Sequence, residues 1–401
     1  MFHLRHKALF IIFIFSSVFL FAKVKTSPIK EEGCLVNLSR SDNIPEESIA
    51  GMSDPYFEGY IQALVDMHFY EYRVIVLVKD HDIWLANLPK NQLLAKSIVS
   101  FVKDIPSVKN VEVMNGMPPQ ELVEREKYVH RPQVSGIWFP QTTELFPPII
   151  ANPRQVVYSL GYRFGDQVIG DHVIPVSLGD DFPIFRWLDV LCWHGDLQIG
   201  IEAGIWVVFN IDVPAPNING GTELVNTDYY AGIPITYAVN KWAFRLRGYH
   251  ISSHLGDEFL VNHPGYDRKN PSFEAIDFFF SYQANDIFRF YGGPGVIIHS
   301  DKSFPMKYVY ADYGAEARFW GKKIYYHKLY GNAFAGAYFR SWQRLNWQFD
   351  GTFVLGYEWS KIQGVGRKIR LFGEFHHGFS LEGQFFRRKT TYGSVKMAYG
   401  F

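Results

Sequence analysis

The sequence predicts a mainly β protein: a transmembrane antiparallel β-barrel of about 12 strands, preceded by a small α/β domain. Three observations support this prediction. Phe, Tyr and Trp make up 17% of the 401 residues, beside 34 Gly. After the N-terminus there is no run of about 20 apolar residues, which a membrane-spanning helix needs. Instead, apolar and polar residues alternate in one segment after another of the C-terminal part, which is typical of barrel strands.

Composition excludes one class of partner and gives no support to metal or thiol chemistry. The chain has 40 basic and 40 acidic residues, so its formal charge is zero. A balanced chain has no electrostatic reason to bind nucleic acid. Its two cysteines, Cys34 and Cys192, are far apart and outside any CxxC motif. Their spacing supports neither a disulfide nor a zinc site, so we predict no metal site.

The N-terminus predicts export from the cytoplasm. Arg5 and Lys7 precede an apolar run over 8–22 that ends in a small residue. A basic start, an apolar core of this length and a small residue are typical of a secretory signal, so 1–22 is predicted to be a cleaved signal peptide. The alternative is an uncleaved anchor, although the run is shorter than a span. Residues 23–54 are polar and predict a mobile leader.

Residues 55–115 predict a small α/β domain, although periodicity leaves 57–69 open as a helix or an amphipathic strand. A β-branched run, a turn, a second strand, a helix stopped by Pro and a third strand follow. The order strand, turn, strand, helix, Pro-x-Val, strand resembles the BON domain, a periplasmic module associated with phospholipid membranes. The resemblance implies a periplasmic domain that contacts lipid or an envelope partner. The alternative is a packing or interaction domain without a ligand.

Residues 116–153 are rich in Pro and predict a semi-rigid linker, and 154–401 predict the barrel. Alternation is clearest in 196–209, 346–360 and 368–382. Period two places the apolar set of each segment on one face. In the last of these segments, the alternation predicts that the side chains at 379 and 381 face outward.

The end of the chain predicts both an assembly partner and an orientation. Apolar residues alternate up to the terminal Phe401, which resembles the last strand of bacterial outer-membrane barrels. The resemblance implies location in the cell outer membrane and recognition by the outer-membrane assembly machinery. A final strand that descends to the periplasm makes 239–241 and 285–286 short periplasmic turns. The longer connections then lie outside, at about 165–183, 211–225, 255–272 and 300–306.

The lumen is predicted to be narrow and filled. The residues that alternation turns inward carry both signs of charge, whereas a wide selective channel lines its wall with one sign. We therefore expect ion pairs inside, and no large pore. These residues are Glu202, Arg245, Arg247, Asp277, Arg289, Glu316, Arg318, Glu358, Arg370 and Glu374.

One pair on the outer face is a candidate for chemistry. His250 and Ser252 continue the lipid-facing register of their strand and are predicted to lie near the outer interface. Polar side chains that face lipid are energetically costly, so their presence there calls for an explanation. His-x-Ser on one face allows a histidine to take the proton of a serine nucleophile. It is similar to the pair of outer-membrane phospholipase A and lipid A deacylases. The similarity implies Ser252 as nucleophile, His250 as general base, and Glu274 of the next strand as the orienting group.

This site has open alternatives. Asp257 and Glu258 are substitutes for the orienting carboxylate. An interfacial girdle of polar residues, with His254, His263 and Tyr249 wetted by headgroups, explains the same pattern without catalysis. No cofactor is expected, except that the hydrolase hypothesis allows a role for calcium.

The whole chain also resembles a family of uncharacterised bacterial outer-membrane proteins with a domain of unknown function. Glu58–Asp80 and Tyr249–Leu260 carry this resemblance, which implies location and architecture but no activity. Two functions therefore stand at this point. The first is a structural, envelope-organising or narrow transport barrel whose periplasmic domain contacts lipid or a partner. The alternative is an outer-membrane lipid acyl hydrolase with outer-membrane lipids as substrate.

Overall fold

A computed structural model describes residues 53–105, 107–114, 135–140, 144–213, 221–324, 329–362 and 365–401. The predicted signal peptide, the leader up to residue 52 and most of the Pro-rich linker lie outside these ranges. No helix within them is long and apolar enough to cross a membrane.

The α/β region consists of two helices on a three-stranded sheet. Helix α1 buries Phe57, Ile61, Val65 and Phe69, which recur every four residues and therefore share one face. The segment that periodicity left open is thus a helix. The sheet has the order β1-β2-β3, with β1–β2 antiparallel and β2–β3 parallel. The elements are α1 (Asp54–Phe69), a 3-10 turn (Tyr70–Tyr72), β1 (Ile75–Lys79), β2 (Asp82–Ala86), α2 (Gln92–Lys103) and β3 (Asn110–Val113).

Helix α1 also satisfies backbone groups along the outer edge of β1. Val76 N–H donates to Gln62 Oε1 and Val78 N–H donates to Glu58 Oε2, both at 2.9 Å. An unpaired strand edge is a template for association, so these buried side chains protect it. Asp54 accepts hydrogen bonds from the backbone of the β1–β2 turn. Burial opposes ionisation of Asp54, but these bonds outweigh it and lower its pKa.

The fold-class prediction is confirmed, because twelve strands close into an antiparallel barrel. Consecutive strands pair throughout, and β16 returns to β5 with Tyr399 opposite Tyr158. A short extra strand, β4 (Gly136–Trp138), extends the sheet by pairing with β6. The barrel strands are β5 (Tyr158–Asp166), β6 (Gly170–Val190), β7 (Gly195–Asn210), β8 (Glu223–Val239), β9 (Trp242–Leu255), β10 (Ser272–Gln283), β11 (Phe288–Ser300), β12 (Val309–Ile324), β13 (Leu329–Trp342), β14 (Gly351–Ile362), β15 (Val365–Phe379) and β16 (Lys389–Gly400).

One predicted long connection is wrong. The segment 165–183 is not a loop, because β5 and β6 are joined by only three residues, 167–169. Asp166 Oδ1 accepts the N–H groups of Val168 and Ile169 and so builds the tight turn. The polar residues that follow belong to β6: Asp181 lies opposite the lumen-facing Glu202, whereas Asp180 lies opposite the outward-facing Ala203 and pairs with Arg367.

The predicted alternation holds in β7, β14 and most of β15 but fails at the outer end of β15. Phe379 and Leu381 were expected to face outward, yet both are buried. The strand ends at Phe379, after Gly378, whose α-carbon packs so closely on Asp350 that a side chain would collide with it. The chain then folds over the barrel mouth, and Phe379 joins an apolar cluster there with Phe304 and Phe386.

Residues 144–157 lie inside the barrel. Phe146, Ile149 and Ile150 are buried against inward-facing residues of the wall, including Phe334. The guanidinium of Arg289 donates to the carbonyls of Pro147 and Pro148 at 2.6 and 2.7 Å. The last part of the predicted linker is therefore a lumen segment, which the sequence analysis did not predict.

Candidate functional site

Strands β9 and β10 place the predicted outer-wall residues together. In β9 the even-numbered residues face outward, and His250 and Ser252 follow this alternation, whereas Ser253 is buried. The antiparallel register sets His250 directly opposite Glu274, and Ser252 opposite Ser272. Directly opposed residues have β-carbons about 5 Å apart, within reach of a hydrogen bond between long side chains.

His250 and Glu274 form a hydrogen bond. His250 Nδ1 lies 2.7 Å from Glu274 Oε1, and the two side chains are 44% and 41% exposed. Because an ionised carboxylate only accepts hydrogen bonds, Nδ1–H of His250 is the donor. The other ring nitrogen, Nε2, therefore remains free to accept a proton. The structure thus brings two of the three predicted residues together in the arrangement that orients a general base.

Ser252 does not complete this arrangement in the structure. Its side chain makes no hydrogen bond within the described residues, and it lies two residues along the strand, about 6.6 Å, from His250. Asp257 and Glu258, the substitute carboxylates, begin helix α3 (Asp257–Asn262), and His250 bonds to Glu274 instead. The catalytic roles of Ser252, His250 and Glu274 remain predictions.

Sequence periodicity does not predict the third member of the cluster, His299. Its Nδ1 lies 2.6 Å from Glu274 Oε2, so the carboxylate is held between two imidazoles. Alternation along β11 assigns His299 to the inside, but a bulge at Glu274/Ala275 shifts the pairing and turns it outward. We name His250, Glu274 and His299 the outer-wall cluster.

The predicted polar girdle is only partly present. Tyr249 faces the lumen, where its hydroxyl lies 2.7 Å from that of Tyr310, so it is wrongly assigned to the girdle. His254 is on the outer wall beside Tyr229. His263 follows helix α3 and stacks on Phe259. Among the described residues, no group of three or more His, Cys, Asp or Glu has the geometry of a metal site.

The lumen contains the predicted mixture of charges in paired form. Glu316 bonds to Arg289 and Arg318, both at 3.2 Å, and Glu358 bonds to Arg318 and Arg370. A cavity of about 10 Å³ beside Glu144 and Phe146 has no room for a solute.

The α/β region contacts the barrel end that carries the short turns. Lys90 Nζ lies 2.6 Å from Asp189 Oδ2, and Arg186 Nη1 donates to the hydroxyl of Tyr72 at 2.6 Å. Lys96 approaches Asp286, in one of the two predicted periplasmic turns. The C-terminal end of β16 lies at this same end, because it pairs with the start of β5.

Comparison with known proteins gives resemblance of fold and one family. The outer membrane phospholipase of Salmonella typhi, solved as a dimer with bound calcium, is 13% identical, with 62% of this chain and 93% of that chain covered and a TM-score of 0.40. Escherichia coli outer membrane phospholipase A is also 13% identical, with the same coverage of both chains and a TM-score of 0.41. The transport unit of the E. coli autotransporter AIDA-I is 11% identical, with 64% of this chain and 93% of that chain covered and a TM-score of 0.33. At these values the similarities say nothing about activity.

No curated protein matches the chain. The BON-like assignment of 55–115 stays a prediction. A family model does match residues 68–401. Because this match covers most of the sequence, the chain belongs to the family described as protein of unknown function (DUF1207).

Proposed function

We propose that this protein is a sealed outer-membrane barrel with a structural, envelope-organising role, which holds its α/β region on the periplasmic side to contact lipid or a partner. The observation that carries the proposal is the filled lumen. Residues 144–157 occupy it, and the wall contacts them through apolar packing and through Arg289. A lumen that the described residues fill in this way favours a structural role over narrow transport.

The outer surface supports a membrane location. Large apolar side chains alternate outward along the strands, for example Ile276, Phe278 and Phe280 of β10, each at least 40% exposed. Apolar residues exposed in register around a closed barrel form the band that lipid covers. The short turns, the C-terminus and the α/β region share one end, which the orientation of outer-membrane barrels makes periplasmic.

The test combines fractionation, surface proteolysis and conductance. We expect the full chain in the outer-membrane fraction, with cleavage within 256–271 by external protease and protection of the α/β region. Purified protein reconstituted in planar bilayers is expected to give no steady conductance. Recovery only as a soluble periplasmic protein contradicts the location, and a steady open pore contradicts the sealed barrel.

The hydrogen bond between His250 Nδ1 and Glu274 favours a second candidate function, a lipid acyl hydrolase acting from the outer wall. After rotation of the two side chains, Ser252 Oγ attacks an acyl ester and His250 Nε2 takes its proton. The same proton then goes to the leaving alcohol, and water hydrolyses the acyl-enzyme. Substrate reaches this site sideways from the outer leaflet.

Fatty-acid release from mixed phospholipid and lipid A micelles, with and without calcium, tests the hydrolase. Ser252→Ala is expected to abolish release. Ser272→Ala is the matched control, since Ser272 faces Ser252 across the ladder and lacks a histidine two residues before it. Equal release from wild type and Ser252→Ala, or none from either across calcium and pH, counts decisively against this function.

A further inference from the structure

In the outer loops, positively charged side chains cluster around the aromatic ring of Phe304. The guanidinium carbon of Arg344 lies 4.1 Å from the centre of the Phe304 ring, and that of Arg387 lies 5.6 Å from the same centre. The two positive charges are therefore within about 10 Å of each other. Lys389 lies beside them, its Nζ 5.6 Å from the ring of Phe379, which packs in the same apolar cluster as Phe304. We name Arg344, Arg387 and Lys389 the rim cations.

These charges have no carboxylate partner in the part of the chain that the structure describes. Arg344 Nη1 donates to the carbonyl of Pro305, while its Nε and Nη2 are buried without an acceptor. Arg387 and Lys389 are exposed, and within the described ranges neither forms an ion pair. This differs from the lumen, where Arg289 and Arg318 share Glu316. Buried guanidinium nitrogens without an acceptor are costly and rare, so Nε and Nη2 of Arg344 lack a balancing anion.

The pKa of Arg344 agrees with the absence of a neighbouring carboxylate among the described residues. Burial, and then the charge of Arg387, lower the pKa of Arg344 to about 10. Like charges held together in this way attract an anion more strongly than separated ones.

Exposed aromatic side chains border the rim cations. Tyr308, Trp347 and Phe349, on the same two loops as Phe304 and Arg344, are 67%, 53% and 59% exposed. Aromatic side chains at the end of a barrel mark the level of lipid headgroups. A soluble anion needs only the cations, whereas an anionic lipid uses the cations and the aromatic border together.

We infer that the rim cations bind a phosphate group, and that its source is an outer-leaflet lipid with a phosphomonoester headgroup. Arg387 and Lys389 donate to the phosphate oxygens, and Arg344, fixed by Phe304 and Pro305, supplies a half-buried positive charge behind them. The inference goes beyond the proposed function and uses the proposed membrane location only to choose the lipid source.

The test is binding of the full chain, purified in nonionic detergent, to mixed micelles that contain phosphatidic acid or phosphatidylcholine, with inorganic phosphate as a separate arm. Arg387→Gln is the main variant because its side chain is exposed and its loss should not prevent folding. Arg344→Gln is the second variant, and its thermal unfolding is measured in parallel. Arg73→Gln, which removes an exposed charge from the α/β region, is the matched control.

We expect phosphatidic acid to bind more tightly than phosphatidylcholine. Arg387→Gln should weaken that binding about tenfold, the loss typical of one charge-assisted hydrogen bond, while Arg73→Gln leaves it unchanged. An equal loss in Arg73→Gln, or no loss in Arg387→Gln, overturns the site. Binding of inorganic phosphate as tight as that of phosphatidic acid overturns the lipid source. Fractionation of the same variants shows separately whether the barrel reaches the membrane.

Discussion

Charged side chains in the lumen and charged side chains on the outer surface of this barrel have different surroundings. Inside, Glu316 is almost fully buried, and its partners Arg289 and Arg318 approach it from two strands. Outside, Glu274 is 41% exposed, and its partners are two histidines that carry charge only when protonated. Removing a lumen carboxylate therefore leaves buried positive charge uncompensated, whereas the outer-wall cluster and the rim cations are accessible from outside the barrel.

The largest effect is expected from removing a lumen carboxylate. Glu316→Ala leaves Arg289 and Arg318 without their shared partner and removes the acceptor of Ile150 N–H. The free energy of unfolding should fall by about 3–5 kcal/mol, the cost of breaking a buried ion pair. The same change on the outer wall, Glu274→Ala, should cost about 1 kcal/mol or less.

Urea unfolding in detergent, followed by tryptophan fluorescence, measures both variants. Similar losses for Glu316→Ala and Glu274→Ala would break the distinction between lumen and wall.

The next effect concerns the lumen segment. Phe146→Ala removes a ring that packs in the lumen cluster and contacts the guanidinium groups of Arg245 and Arg289. A loss of about 3 kcal/mol is expected for truncating a buried Phe. Phe278→Ala, on the outward-facing side of β10, leaves no cavity inside and should cost less.

Unfolding measurements and bilayer conductance of the two variants check this. Intermittent conductance in Phe146→Ala alone would agree with a loosened lumen segment. Greater destabilisation by Phe278→Ala would show that residues 144–157 do not support the barrel.

Two histidines, one buried and one exposed, test the same difference between lumen and outer surface with smaller expected changes in the free energy of unfolding. His376 is fully buried, and it bonds to Thr352 and to the carbonyl of Phe379. His376→Ala should cost about 1–3 kcal/mol, because partners are left unsatisfied. His299 is 75% exposed, and His299→Ala should leave stability within about 0.5 kcal/mol of wild type. Thermal unfolding of both variants in one detergent gives the answer, and a larger loss for His299→Ala would refute the expectation.

The smallest effect is a pH dependence in the α/β region. Hydrogen bonds from the β1–β2 turn hold the pKa of Asp54 below its unfolded value. Its contribution is therefore present above the unfolded pKa, about 3.9, and is lost as the pH falls through the folded pKa. Hydrogen exchange of the turn amides in the full chain, corrected for intrinsic rates, should rise toward pH 3 in wild type. It should change little in Asp54→Asn, and equal rises would contradict this.

Sequence reasoning succeeded where one strand determines its own pattern. The period of two in β7 and in β9 is a local property, so the facing of Glu202, His250 and Ser252 could be predicted. The pairing of His250 with Glu274 followed from counting an antiparallel register, which no bulge disturbs between β9 and β10.

It failed where a residue's partners are distant in sequence or the register shifts. The polar residues of β6 resemble a loop in the sequence because their charge partners, such as Arg367 for Asp180, are far along the chain. Residues 144–153 belong to the predicted linker of 116–153, because the Pro content of that segment outweighs the pattern of the apolar side chains that enter the barrel. His299 was missed because one bulge reverses its facing.

The most direct test of the sealed barrel is a cross-link between the lumen segment and the wall. A β-carbon placed on Gly336 of β13 would lie 3.2 Å from that of Ala151, close to disulfide distance. The double variant Ala151→Cys with Gly336→Cys, made with both native cysteines replaced by serine, is oxidised in the full chain. The oxidised protein is then cleaved within 256–271, and its fragments are separated on a denaturing gel without reductant.

The two fragments should stay joined and separate only after reduction. The control, Ala151→Cys with Leu355→Cys, uses an outward-facing residue of β14 and should give separate fragments. No joined species in the first variant, or equal joining in both, would contradict a lumen filled by residues 144–157.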